Sequence, residues 1–161
     1  MVGPRRPDEI PVKVVTTNRR ARRNFEILET LEAGIVLVGS EVKSLRAGQI
    51  DLKDGYASIA GGEAWLHSVH IAPYGFSGPT GHEPERSRKL LLHRRQIDRL
   101  GGQIAEKGLT LVPLSVYFKE GIVKVELGLG KGRRTYDKRR AIRQREEERE
   151  MARARRRRGP R

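Results

Sequence analysis

The sequence predicts a mainly β fold with flanking helices, followed by a basic C-terminal tail. Short alternating apolar runs, bounded by Gly- and Pro-containing turn signals, recur between residues 18 and 130. The last 31 residues, 131–161, contain 15 Lys/Arg and 5 Asp/Glu, a net charge of +10, whereas residues 1–130 carry a net charge of only +4. We therefore divide the chain into a flexible N-terminal arm (1–17), a compact body (18–130) and a tail (131–161).

The first long strand is predicted for residues 25–38, where apolar residues alternate on both faces. Glu32 lies on the same face as Leu28 and Val36. We interpret its carboxylate as a partner for nearby arginines that holds a binding loop in place. The alternative is a charge at the rim of the fold.

A short helix is predicted for residues 39–48. Ser40 is the expected cap, and Glu41 suits the positive end of the helix. Val42 and Leu45 are spaced to pack inward, which leaves Lys43 and Arg46 together on another face.

The middle of the chain predicts a hairpin of residues 56–60 and 63–71 around a Gly-Gly turn, followed by a mobile loop at 73–88. One face of the second hairpin strand is expected to carry Trp65, His67, Val69 and Ile71.

A helix is expected to end near Lys107, and two strands follow at 109–118 and 122–127. Pro113 predicts an edge or a bulge, and the glycine-rich stretch 128–132 is interpreted as a flexible joint. Short strands with two inserted helices are typical of a small closed antiparallel β-barrel of the oligonucleotide-binding type.

Two clusters of positive charge point to nucleic acid as the partner. The tail favours helix between Asp137 and Arg156 but has no apolar stripe to bury, so we expect it to be disordered when free and helical beside a polyanion. A second cluster follows the cap-like residue Asn18, and its arginines are candidates for phosphate contacts: Arg19, Arg20 and Arg22. The alternatives are a solvated tail and a surface helical turn without a ligand.

No residue pattern indicates an enzyme, a metal site or a cofactor. The chain has no cysteine, which fits a reducing cytosol, and His67 and His70 are expected to point to opposite faces of a strand. No apolar run approaches the roughly 20 residues of a membrane span, so we expect a cytoplasmic protein without membrane contact.

These segments together resemble the SmpB family, bacterial proteins that bind transfer-messenger RNA (tmRNA). The matching pieces occur in the family's order between about Asn18 and Arg140. The combination of EVKSLRAG, RKLLL and a late DKR is more specific than any one piece. The full set is NRRA at 18–21, EAG at 32–34, EVKSLRAG at 41–48, RKLLL at 88–92, KGLTLVPL at 107–114, GKG at 130–132 and DKR at 137–139.

The resemblance implies a non-catalytic adaptor for trans-translation. Its barrel would bind the transfer-RNA-like domain of tmRNA and accompany it, with elongation factor Tu, to stalled ribosomes. Its tail would enter the decoding centre of 16S rRNA and the empty mRNA channel. We expect a monomer without cofactors. The competing hypotheses are a general RNA-binding or ribosomal protein of similar fold and an enzyme that acts on RNA.

Site residues follow from the resemblance by position. Asn18, Glu32 and Leu91 fall where the family needs residues for RNA binding, Leu91 through packing. Lys43, Ser44 and Arg46 are assigned to RNA contact on grounds of charge and position. The ribosome-engaging tail segment matches at Lys131, Gly132, Asp137, Lys138 and Arg139, with Tyr136 beside them.

Two residues depart from the family pattern. Phe25 replaces a usual tyrosine and loses a possible hydroxyl contact. Tyr136 stands where many members have histidine, and its ring can still stack on a base.

Overall fold

The protein structure is a computed structural model that describes residues 12–74, 82–133 and 135–158, with side chains described up to 133 and over 142–156. The N-terminal arm before Val12, part of the predicted loop at 73–88, and the side chains of Tyr136–Arg139 lie outside that description. Its strands are β1 Val12–Thr17, β2 Phe25–Ile35, β3 Ile50–Asp51, β4 Tyr56–Ala60, β5 Glu63–His67, β6 His70–Ile71, β7 Arg88–Leu91, β8 Thr110–Lys119 and β9 Ile122–Gly132. Its helices are α1 Arg19–Asn24, α2 Gly39–Arg46, α3 Arg94–Lys107 and α4 Thr135–Arg158.

Six antiparallel strands form a closed ring. The order is β8-β4-β5-β7-β2-β9, and a pairing of β9 with β8 closes it, while β1 adds to β8 from outside. The predicted mainly β barrel with flanking helices is therefore confirmed.

The hydrophobic core fills the inside of the ring. Ala33, Leu66, Val125 and Leu127 are at most 1% exposed, and α3 closes against this core with Leu100. Residues that alternate with these core positions point outward, and this outer face carries the candidate site.

Three sequence predictions about α3 and β8 are confirmed. Ile97 and Leu100 are buried, and Ile104 packs partly buried against the core. Gly108 ends α3 with a φ of 62°, a left-handed conformation that glycine adopts without strain. The pairing of β8 with β9 shifts register between Pro113 and Ser115, which is the bulge that Pro113 predicts.

The two ends of the body differ from the prediction. Residues 12–17, assigned to a flexible arm, form β1 on the edge of β8. The predicted joint 128–132 is the last part of β9, paired with β2 and β8. Gly128 and Gly130 serve packing, because a Cβ on Gly128 would lie 2.8 Å from Leu114 Cδ1 and a Cβ on Gly130 would lie 3.1 Å from the Glu26 carbonyl oxygen.

The predicted hairpin is confirmed around Gly61 and Gly62, which both have positive φ. However, the chain turns at Ser68, with a φ of 58°, so the predicted single face from Trp65 to Ile71 is wrong. The outward-facing residues end at His67, and Val69 and Ile71 belong to the core.

The C-terminal segment is the helix α4, and its described side chains find no core. Over residues 142–156 every side chain is exposed except the half-buried Arg145, whose Nη2 donates to the carbonyl oxygen of Arg22 at 3.3 Å. Ile142 and Met151 are 39% and 61% exposed. The structure thus has the helical form that the sequence favours, and disorder of the free tail stays a prediction.

Candidate nucleic-acid interface

Helix α1 presents its arginines to solvent because Asn18 fixes its start. The Asn18 side chain accepts from the Ala21 amide at 3.1 Å, and its Nδ2 donates to the carbonyl oxygens of Leu52 at 3.1 Å and Pro113 at 3.0 Å. The predicted cap is confirmed. Because this amide is buried and fully engaged within the protein, we reassign Asn18 from RNA contact to holding α1 on the barrel.

The four arginines of α1 are all exposed. Arg22 pairs with Glu126 at 3.1 Å and Arg20 with Asp54 at 3.6 Å. Such exposed pairs contribute roughly 0–1 kcal/mol each. Arg19 and Arg23 have no ion-pair partner within the described parts of the chain, so their charge is available to an anionic ligand.

Glu32 lies on the outer face of β2, opposite Glu126 of β9. Its carboxylate accepts from the Tyr117 hydroxyl and from Lys119 Nζ at 3.3 Å. The prediction of an arginine partner is therefore wrong, because strand β8 puts a tyrosine and a lysine within reach instead.

These contacts set the acidity of both groups. The Tyr117 hydroxyl lowers the pKa of Glu32 against the effect of burial, and Lys119 and Lys124 lower it further. Burial and the Glu32 carboxylate raise the pKa of Tyr117. At neutral pH the site therefore holds an ionised, oriented carboxylate between two lysines.

Leu91 and Lys124 lie on the two strands that flank Gly34. The strand register places both residues opposite Gly34, one on β7 and one on β9. A Cβ on Gly34 would lie only 3.1 Å from the Leu91 Cβ, so glycine leaves space for the leucine to cross the strand. The Leu91 side chain is 53% exposed, which contradicts a role through packing alone and makes it available for contact.

The sequence analysis missed two lysines of this surface, Lys119 and Lys124. Neither belongs to a motif. The contact with Glu32 reveals the position of Lys119, and the register with Gly34 reveals that of Lys124. We call the outer surface formed by α1, Glu32, Leu91, Lys119 and Lys124 the barrel face.

Helix α2 is anchored by a buried ionic cluster that the sequence analysis also missed. Glu41 and Arg88 are both 0% exposed. The Glu41 carboxylate accepts from Arg86, from Arg88 and from the Val38 amide at 2.9 Å. Burial raises the pKa of Glu41, and these hydrogen bonds more than reverse that effect, so the pKa lies below its usual range.

Arg88 also ties β7 to the preceding loop. Its guanidinium donates to the carbonyl oxygens of Val69 at 2.8 Å, Pro84 at 3.0 Å and Arg86 at 3.0 Å. Burial lowers the pKa of Arg88, and the Glu41 carboxylate opposes that shift. This cluster fixes α2 relative to β7 and therefore relative to Leu91.

The predicted contact residues of α2 divide into two groups. Lys43 and Arg46 are exposed, and Lys43 Nζ lies 5.6 Å from the centre of the Tyr74 ring. Ser44 is fully buried, and its hydroxyl donates to the Ala72 carbonyl oxygen at 2.6 Å. Direct RNA contact by the Ser44 side chain is incompatible with that burial, so Ser44 holds α2 in place. Ser40 is not the cap either, since its hydroxyl contacts His82 Nδ1 at 2.8 Å while Glu41 reaches back to Val38.

Lys131 and Gly132 are exposed at the end of β9. Gly132 pairs with Phe25, and the Arg133 amide donates to the Asn24 carbonyl oxygen at 2.9 Å. Asp137, Lys138 and Arg139 follow on the first turns of α4, together with Tyr136. The tail thus leaves the body beside the end of α1.

Within the described residues, no group of three His, Cys, Asp or Glu side chains could hold a metal ion. No helix in the described ranges is long and apolar enough to cross a membrane.

Comparison with known proteins gives one family. The family description "SmpB protein" matches residues 15–157. This chain belongs to the SmpB family. The match to the SmpB family runs from within β1 to within the last turn of α4, so the tail helix is part of the family pattern. The match also extends beyond the resembling segments between Asn18 and Arg140 at both ends.

Individual relatives in the SmpB family agree closely. The SsrA-binding protein of Gloeothece citriformis is 59% identical over 143 residues, which cover 88% of this chain and 92% of the relative. The SsrA-binding protein of Desulforudis audaxviator is 57% identical over 144 residues, covering 89% and 94%. A solved chain from work described as "tmRNA-SmpB: a journey to the center of the bacterial ribosome" superposes with a TM-score of 0.64 at 49% identity, covering 80% of this chain and 94% of that one.

Proposed function

We propose that this protein is an RNA-binding adaptor for trans-translation. Its barrel face binds the transfer-RNA-like domain of tmRNA, and its tail engages the stalled ribosome. The named relatives are SsrA-binding proteins, and the solved relative is SmpB in the context of the ribosome. In this role the chain carries out no chemical step and acts in the cytoplasm as a monomer, with elongation factor Tu in the delivery complex.

The proposal is supported above all by the division of the chain into a barrel that holds the hydrophobic core and a tail that holds most of the positive charge. Residues 1–130, which include the barrel with its buried apolar residues, carry a net charge of only +4, whereas the tail carries +10 and exposes nearly every described side chain. A helix with no apolar face gains little from packing on its own body. It gains most from a surrounding polyanion, and the decoding centre and empty mRNA channel are such surroundings.

The barrel face suits a folded RNA that presents both backbone and bases. Arg19 and Arg23, which have no ion-pair partner among the described side chains, supply cations for phosphates. Glu32 repels phosphate, so its oriented carboxylate suits a hydrogen-bond donor such as a base amino group or a 2′-hydroxyl. The exposed Leu91 side chain supplies an apolar contact on the same face.

Truncation after Arg133 tests the division of roles. The cut must follow Arg133, because removal of residues 131 and 132 would shorten β9 and its pairing with β2. We expect the truncated protein to bind the transfer-RNA-like domain at physiological salt within about threefold of the full chain. Rescue of stalled ribosomes, measured as tagging of an unfinished peptide in a reconstituted system, is expected to be lost. Loss of both activities, or retention of both, would contradict separate roles.

The high charge also favours a general RNA-binding protein as the second candidate. That protein would bind unrelated RNAs with similar affinity and a steep salt dependence. Competition between the transfer-RNA-like domain and a duplex RNA of equal length separates the two candidates.

A further inference from the structure

Three aromatic or imidazole rings lie on the outer face of the β4–β5 hairpin, where Tyr56 is exposed and Trp65 and His67 are half-buried. On β5, Trp65 and His67 alternate with Ala64 and Leu66, which are 0% and 1% exposed and face the core. Tyr56 on β4 lies opposite His67 and is 46% exposed. Aromatic side chains bury large areas when they join a core, so their outward placement needs another reason.

The ring of His67 is held in one orientation. Its Nε2 lies 2.8 Å from Ser58 Oγ, and its Nδ1 lies 2.8 Å from Ser87 Oγ. The Tyr56 ring packs on it with 5.1 Å between centroids and an interplanar angle of 36°. Such a ring loses little conformational freedom when a planar ligand stacks beside it.

The rings are continuous with the barrel face. Trp65 pairs with Lys89 in the β5–β7 register, and Leu91 is the next outward residue on β7. The Val36 amide donates to the Lys89 carbonyl oxygen at 2.9 Å, and the Val36 side chain is 46% exposed. Lys89 Nζ pairs with Glu63 at 3.2 Å at the solvent boundary, where a phosphate can compete for it.

We propose that Tyr56, Trp65 and His67 form a stacking platform for an unpaired base of the RNA that the barrel face binds. This inference rests on the proposed function and adds a contact for single-stranded bases beside it. Flat rings next to a cation are the usual means by which proteins bind exposed bases without strict sequence preference. A folded transfer-RNA-like domain offers such bases in its loops, whereas a duplex does not.

Trp65 is the only tryptophan in the chain, so its fluorescence reports on the platform directly. The test titrates the full-length protein with the transfer-RNA-like domain of tmRNA and, separately, with a fully paired RNA duplex. We expect quenching of Trp65 by the first RNA and little change with the second at equal occupancy. Tyr56→Ala and Trp65→Ala should each weaken binding of the first RNA by about 5- to 150-fold, the usual effect of losing one stacked base.

Two further variants make the result specific. Trp65→Phe keeps a ring and should stay within about fivefold of the wild type. Ile122→Ala changes an exposed apolar residue at the β8–β9 turn and should stay within about twofold. Thermal unfolding checks that each variant is folded. If Trp65→Ala is unfolded, the platform is tested by the quenching of Trp65 in the wild type and by the affinity of Tyr56→Ala for the first RNA.

The outcomes separate the two proposals. If the transfer-RNA-like domain binds with its normal preference while Trp65 is not quenched and Tyr56→Ala binds like the wild type, the platform is refuted and the adaptor function stands. If the wild type shows no preference for that RNA over the duplex, the adaptor function is refuted and the platform falls with it.

Discussion

Replacing Glu41 with glutamine tests the buried cluster that holds α2. The glutamine side chain has nearly the same shape but no charge, so Arg88 would keep its fully buried guanidinium without a counter-charge. Breaking a buried pair from one side costs about 3–5 kcal/mol. Because domains of this size are stable by only about 5–15 kcal/mol, Glu41→Gln should remove a large part of the free energy of unfolding.

Urea denaturation at pH 7 measures this loss, and a thermal scan should show a melting temperature lower by roughly 10–15 °C. The matched control is Glu63→Gln, which removes the partner of Lys89 at a site where both side chains are more than 40% exposed. That change should stay within about 0.5 kcal/mol. Equal and small effects of the two substitutions, each under about 1 kcal/mol, would refute the assignment of Glu41 as the anchor of α2.

The pH dependence provides an independent check. The folded state lowers the pKa of Glu41 below the unfolded value of about 4.3. The stabilisation is therefore fully present above that value and is lost as the pH falls through the folded pKa. Glu41→Gln has no carboxylate to protonate at this position and should lack this part of the acid-induced loss of stability. Its free energy of unfolding, measured by urea denaturation, should therefore depend less on pH than that of the wild type below about pH 4.

Two further substitutions probe the barrel face and the end of β9. Tyr117→Phe removes the hydroxyl that lowers the pKa of Glu32; NMR titration should show the Glu32 pKa rising toward its ordinary value, and an unchanged value would contradict the hydrogen bond. The same variant should bind the transfer-RNA-like domain more weakly, since Glu32 loses its fixed orientation. Gly128→Ala should destabilise by about 1–3 kcal/mol, because the new methyl group would lie 2.8 Å from Leu114 Cδ1. Gly132→Ala, where a Cβ would have no neighbour within 4 Å, is its control and should change the free energy of unfolding by less than about 0.5 kcal/mol in the same denaturation assay.

Local patterns in the sequence were sufficient to predict most elements of the body. Alternation predicted β2 and β8, the Gly-Gly pair predicted the β4–β5 hairpin, and helical spacing with Gly108 predicted α3 and its end. Each of these signals acts within about ten residues of chain. They are therefore visible without knowledge of which strands pair.

Several errors have the opposite origin, since they depend on contacts between distant segments. Glycines at 128–132 look like a joint, yet Gly128 is small because Leu114 of β8 packs against it. Glu41 looks like a favourable charge at a helix start, yet it also neutralises Arg88, 47 residues later. Glu32 finds Tyr117, 85 residues away, because the barrel closes through β9 and β8.

The candidate site was only partly predictable for the same reason. Charge alone identified the arginines of α1 and the tail, and family resemblance identified Glu32 and Leu91. Neither showed that Lys124 and Leu91 both lie opposite Gly34, because that arrangement exists only once β7 and β9 pair with β2 on either side. Asn18 and Ser44 belong to the matching motifs, but both are buried and hydrogen-bond to the protein's own backbone. Sequence alone does not distinguish such a structural polar residue from one that contacts a ligand.

The continuous course of β9 connects the two proposed roles mechanically. A flexible joint at 128–132 would let the tail leave the barrel in any direction. Instead, Gly132 pairs with Phe25 and the Arg133 amide is bound to the end of α1. The arginines of α1 and the start of the tail therefore keep a fixed separation, so an RNA that docks on the barrel face also fixes where the tail begins. In a ribosome that receives this RNA, the body would thus bring the start of the tail to one place, and only the part after Arg133 would need to find its path.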